Sequence, residues 1–194
     1  MIKKTILISI TLILILLPLF WILFLNQPIF SLLYDTLHLK DYNNMEKEDY
    51  LSKVSIIIHY FFNTKPLLEI KEMSEIEKIH MKDVKFLILL ALLILVFALV
   101  TVLVFRRELK KIIIREAGIV TLGIVAIIVI FSLINFDFAF IIFHRILFTN
   151  NFWLLDPSTL LIKLFPEKVF MVLAYIWFGI TLFLSLIITV FVSV

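Results

Sequence analysis

The chain has 194 residues, 63% of them hydrophobic, with 18 basic against 15 acidic side chains and a net charge of +3. Soluble globular domains hold about 45–50% apolar residues, so a water-soluble fold is excluded, and little chain is left for a separate soluble domain with a full core. There is no cysteine, which excludes disulfides, thiolate nucleophiles and cysteine metal sites. The basic excess sits beside apolar runs rather than forming a nucleic-acid footprint.

A membrane-spanning helix needs about 20 mainly apolar residues. Four stretches qualify, at 5–25, 84–105, 117–142 and 169–192. Lys3 and Lys4 precede the first, as in a signal peptide, but its apolar run is too long and no small-residue cleavage site follows. It reads as a retained anchor helix, kinked by Pro18 in its outer half.

Orientation follows from the short flanks, because cytoplasmic loops carry the excess of Lys and Arg. Lys3 and Lys4 lie before the first span, and Arg106, Arg107, Lys110, Lys111 and Arg115 lie between the second and third, against only Glu108 and Glu116. Both flanks are expected inside. The expected fold is therefore an all-α four-transmembrane-helix bundle with both termini cytoplasmic. In chain order it has a first span (1–25), a small extracytoplasmic cap (26–83), a second span (84–105), a basic cytoplasmic loop (106–116), a third span (117–142), an aromatic outer loop at the membrane interface (143–168) and a fourth span (169–194).

In the cap, the β-branched and aromatic run 54–62 is compatible with a strand or with an interfacial helix, and periodicity alone does not choose. Ser74 and Glu77 match a capping box, starting a helix that can run through His80 into the second span. The outer loop is apolar and aromatic but punctuated by Asn150, Asn151, Asp156, Pro157 and Pro166. That suits a segment dipping into the membrane or lying along it.

Of the four histidines, His80 lies just before the second span and His144 just after the third, so the topology brings both to the outer interface. The plain alternative is a pair of headgroup-level histidines, since amphipathic rings favour that zone. His38 and His59 have ordinary surroundings. Asp83 follows His80 by three residues and on a helix shares its face, where it can orient the imidazole or simply be a solvated charge near Lys82 and Lys85. Asp137 is the charge written inside a span, which is costly unless paired or near water. It stands about 10 Å of helical rise from His144, too far for a direct bond, so a partner on another helix is expected. The aromatic residues around the outer loop, Phe140, Phe148 and Phe152 among them, are lipid-facing packing or the walls of an acyl-chain pocket.

Two blocks are more specific: HMKDVK (80–85) entering the second span, and FHRILFTNNFWLLDPSTLLIKLFPEKVF (143–170) between the third and fourth. With the four-span plan and the cap, they resemble the lipoprotein intramolecular transacylase family. The resemblance implies a bacterial enzyme of the cytoplasmic membrane, with its site on the extracytoplasmic face. The substrate it implies is a diacylglyceryl lipoprotein, whose sn-2 acyl chain moves to the α-amino group of the N-terminal cysteine to leave the lyso form. It also implies that His80 and His144 are the catalytic pair.

Ester-to-amide conversion is downhill within one substrate, so no nucleotide, metal or other cofactor is called for. The expected partners are the lipoprotein and membrane lipid, with no nucleic acid. A neutral imidazole can take the amine proton and a protonated one can supply the leaving glyceryl oxygen. If the second span begins near His80, the helix ends favour His80 as base and His144 as acid, although Arg145 opposes the latter. Oxyanion donors available nearby are Arg145 first, then Asn150, Asn151 and the indole of Trp153; Arg145 serves equally as a cation anchoring its helix to phosphate headgroups. Ser158 in its DPST turn reads as a helix cap rather than a nucleophile. Rival readings are an outer-leaflet phospholipid acyltransferase or hydrolase and a non-catalytic membrane assembly subunit. The apolar span centres count against a transporter.

Overall fold

The computed structural model describes residues 18–20, 22–107 and 109–192. The first expected span falls almost wholly outside these residues, as does the chain preceding Pro18; its end, 18–20 and 22–24, is helical. Among the described residues there is no strand. The helices are α1 (Gln27–Thr36), α2 (Leu39–Asn43), α3 (Lys47–Phe62), α4 (Glu75–Val104), α5 (Lys111–Ile134), α6 (Phe136–Leu147), α7 (Leu160–Leu164) and α8 (Glu167–Phe191). Three of them, α4, α5 and α8, are long and apolar enough to cross a membrane. The run at 54–62 belongs to α3, whose buried stripe of Tyr50, Val54, Ile57, Tyr60 and Phe61 has helical spacing.

The expected third span is corrected. The helix starts at Lys111 and stops at Ile134, because Asn135 adopts an extended conformation (φ −158°, ψ 100°). Its Oδ1 accepts the N–H of Phe138 at 2.9 Å, which makes Asn135 the N-cap of α6. Asp137 thus sits in the first turn of α6, exposed, where a carboxylate complements the helix dipole. The local helix end, rather than a partner on another helix, accommodates it.

The chain divides into two compact units, one containing Ala91–Ala139 and Ala174–Val194 and the other Leu23–Leu90 and Phe140–Leu173. In the first, α5 and α8 meet through small residues. A Cβ on Gly118 would lie 2.9 Å from Ile188 Cγ2 and 2.9 Å from Thr189 Oγ1, so the glycine permits the close approach. Buried hydroxyls there bond their own helices, Thr121 to the carbonyl of Ala117 at 2.8 Å and Thr181 to that of Trp177 at 2.7 Å. This satisfies polar groups where water is scarce. Large apolar side chains such as Phe97 and Leu103 are exposed, as suits a lipid-facing surface.

The second unit packs α1, α2, α3 and α7 around Leu33, Tyr50, Val54, Ile57 and Leu164, all buried. Phe30 meets Phe165 edge-on at 5.5 Å, and the Asn43 amide donates to the Lys163 carbonyl at 3.3 Å. Lys168 Nζ donates to the carbonyl of Leu37 at 2.9 Å. These ties hold the end of the outer loop to the cap helices.

Candidate active site

The site begins with a local motif. Ser74 precedes α4, and its N–H and Oγ–H both donate to Glu77 Oε2, at 2.7 and 2.8 Å, while Glu77 N–H returns a bond to Ser74 Oγ at 3.4 Å. The capping box starts a helix that continues without a break through His80 to Val104. Glu77 is 1% exposed, and its second oxygen accepts the N–H of Leu161 in the first turn of α7 at 2.7 Å. One carboxylate therefore caps two helices. The capping box is legible from spacing; the bond to Leu161 has no sequence signal.

His80 stands one turn after Glu77, and His144 lies in the last turn of α6. Both are buried, 7% and 9% exposed, and their ring centroids are 6.3 Å apart. Phe148 lies against both, 5.0 Å from His80 and 5.6 Å from His144. Around His144, Phe140 is at 4.2 Å, Trp153 at 5.0 Å and Phe143 at 5.3 Å. The two imidazoles share an aromatic enclosure.

His144 Nδ1 is 2.8 Å from the carbonyl oxygen of Phe140. A carbonyl only accepts, so Nδ1 carries the hydrogen, and in the neutral ring the lone pair is on Nε2. Burial pushes the His144 pKa below its ordinary value, and the bond to Phe140 opposes that shift. His80 Nδ1, in contrast, is buried with no hydrogen-bond partner among the described residues. The helix-end argument that made His80 the base loses its premise, because α4 starts at Glu75 and its positive end is not at His80.

The other expected residues separate. Asp83 Oδ2 accepts the amide of Asn150 at 2.9 Å, so its carboxylate is engaged with the outer loop. The Trp153 indole N–H donates to the carbonyl of Asn150 at 2.9 Å. Arg145 and Asn151 are exposed. Of the three expected pocket rings, Phe140 and Phe148 flank the histidines, whereas Phe152 is exposed and joins the network only by donating its backbone N–H to Asn150 Oδ1 at 3.0 Å. Phe143 is the additional ring at His144. Ser158 does not cap a helix: its N–H and Oγ–H turn back to Asp156 Oδ1, and Thr159 holds the N-cap position of α7. His59 bonds the carbonyl of Ser55 on its own helix, and His38 stands in a left-handed conformation ahead of α2. Among the described residues no three of His, Asp and Glu converge as metal ligands.

The family model described as lipoprotein intramolecular transacylase Lit matches residues 4–170. The chain belongs to the Lit family. It is a lipoprotein acyltransferase, and its long apolar helices accord with a membrane protein. Among solved structures, the membrane-integral Lit of Bacillus cereus superposes with a TM-score of 0.86 at 20% identity, covering 95% of this chain and 90% of that one. A histidine-to-arginine variant of the same protein gives 0.73 at 22% identity, covering 98% and 89%. A histidine-to-alanine variant gives 0.72 at 21% identity, covering 97% and 90%. No curated protein matched.

Proposed function

We propose that His80 and His144 are the catalytic pair of this Lit-family acyltransferase. They would move the sn-2 acyl chain of a diacylglyceryl lipoprotein from the glyceryl oxygen to the α-amino group of the N-terminal cysteine. The observation that carries the assignment is the pairing of two buried imidazoles 6.3 Å apart within one aromatic enclosure. Donor and acceptor belong to one molecule, and holding them in line is worth about 7–11 kcal/mol in favourable cases. The rings of Phe140, Phe148 and Trp153 supply walls for lipid arms and keep out water that would hydrolyse the ester.

In this reading the amine nitrogen attacks the ester carbonyl carbon and gives one proton to His144 Nε2, the position its tautomer leaves open. The carbonyl–glyceryl oxygen bond then breaks, and that oxygen takes one proton back from the histidine pair. One proton is gained and one lost, so the pair ends with the number it started with. Each role typically contributes about 10²–10⁴-fold. This makes His144 the base, where the helix ends alone favour His80, and the support is the Phe140 carbonyl at Nδ1 of His144.

The membrane placement belongs to the same proposal. It has four spans, both termini in the cytoplasm, and the histidine pair on the extracytoplasmic face of a bacterial cytoplasmic membrane. It is supported by Arg106, Arg107 and Lys110 between α4 and α5, by Lys111 and Arg115 at the start of α5, and by Lys3 and Lys4. Mass spectrometry of the N-terminal lipopeptide from bacteria with and without the protein tests the reaction. The N-acylated lyso form is expected only with it, and loss by about 10²-fold or more in His80→Ala and in His144→Ala, each at normal protein level. Unchanged diacylglyceryl cysteine beside the intact wild-type protein would sink the reading.

A further inference from the structure

We propose that Asn150 is a positioning residue, which fastens the Trp153 indole that lies on His144 to the helix that carries His80. The proposal rests on the assignment of that pair. Three groups of Asn150 are committed at once. Its amide nitrogen donates to Asp83 Oδ2 at 2.9 Å, its Oδ1 accepts the Phe152 N–H at 3.0 Å, and its carbonyl accepts the Trp153 indole N–H at 2.9 Å. Asp83 is one helical turn beyond His80. Trp153 is 8% exposed, and its ring lies 5.0 Å from that of His144 at 30°.

The contacts form a circuit: His80 to Asp83 along α4, across to Asn150, on to Trp153, and from its ring to His144, which faces His80. All five residues lie in one compact unit. The rings alone are apolar contacts and fix orientation weakly. The hydrogen bonds add direction, and they tie a loop to α4, whose start is anchored by Glu77. Asn suits the junction because its amide offers a donor at one end and an acceptor at the other.

That chemistry dictates the test. In Asn150→Asp one oxygen still accepts from Phe152, but the other meets the Asp83 carboxylate at hydrogen-bond distance. Two carboxylates so placed repel unless they share a proton. The circuit should open near neutral and alkaline pH and close on acidification. Adding Asp83→Asn restores a donor and an acceptor with their places exchanged, and the pH dependence should vanish.

Two readouts are required, in the full-length protein in detergent. The first is the emission of Trp153 as the sole indole, after Trp21→Phe and Trp177→Phe. Asn150→Asp should shift it to the red at about pH 8 and return it on acidification, and the double exchange should match the parent throughout. The second is acyl transfer on a diacylglyceryl lipopeptide, where Asn150→Asp should lose about tenfold or more at alkaline pH, with the double exchange recovering most of it. A merely structural role predicts neither the acid rescue nor the reciprocal rescue. If Asn150→Asp does not accumulate, a double exchange that folds with parental emission supports the proposal. Parental emission and rate in Asn150→Asp at about pH 8, or a double exchange no better than the single one, would overturn it. Should the parent show no acyl transfer, the assignment of the pair falls, and the emission series alone decides the role of Asn150.

Discussion

The carboxylate of Glu77 accepts the backbone N–H of Leu161 at 2.7 Å, across 84 positions of sequence, while its other oxygen closes the capping box with Ser74. Hydrogen bonds to charged groups contribute about 1.5–3 kcal/mol each, and a buried donor left alone costs a similar amount. Glu77→Ala strands the N–H groups of Ser74 and Leu161 together. It is expected to destabilise the cap by about 3 kcal/mol or more in chemical unfolding in detergent. Glu77→Gln should be intermediate, because one end of its amide still accepts. Equal stability of Glu77→Ala and wild type would contradict this account of the anchor.

Burial sets the sign of the pH response at His144. Its folded pKa lies below the ordinary 6.5. Above 6.5 the ring is neutral in both states and contributes no slope. As the pH falls below it, the unfolded chain binds a proton that the folded chain refuses, so stability declines until the lowered folded pKa is reached. Thermal unfolding followed from about pH 8 to about pH 5 should show this loss, and His144→Phe should flatten it. An unchanged slope in the variant would mean that burial is not what governs this ring.

Trp153 separates a wall from a donor. Trp153→Phe keeps a ring against His144 but removes the indole N–H from the Asn150 carbonyl, whereas Trp153→Ala opens the enclosure. Acyl transfer is expected to fall several-fold in the first and about 10²-fold in the second, the scale on which small misplacements act. Similar rates for both would show that the ring itself does not matter.

In the other unit, two glycines make a matched comparison. A Cβ on Gly118 would press on Ile188, Thr189 and the Ser185 carbonyl, while one on Gly123 meets nothing within 4 Å. Overpacking typically costs about 1–3 kcal/mol, so Gly118→Ala should lower the unfolding temperature. Gly123→Ala should leave it unchanged or raise it by helix propensity. Equal effects would argue against close α5–α8 packing.

Reporter fusions test the topology. Fusions within 106–110 should report the cytoplasm and fusions within 149–159 the outside. The opposite result at either place would overturn the four-span arrangement.

The sequence by itself determined a membrane protein of long apolar helices, the capped start of α4 and the histidines to bring together, while leaving 54–62 open between strand and helix. Each of these is written in short-range terms: hydrophobic run length, a Ser–x–x–Glu spacing, and two residue blocks with a family likeness. The break at Asn135 was locally legible too, as an asparagine N-cap followed by an acidic first turn, but it was hidden by the apolar residues around it. Tertiary structure alone decided who bonds whom. Helical spacing put Asp83 on the face of His80, yet its partner is Asn150, and the indole of Trp153 was claimed by a carbonyl rather than left as an oxyanion donor. It also decided the tautomer of His144, through a carbonyl four residues earlier. Hydropathy is a sum over neighbours in sequence and survives without coordinates. A hydrogen bond depends on direction and on a few tenths of an ångström between residues far apart in the chain, and only the packed structure sets those.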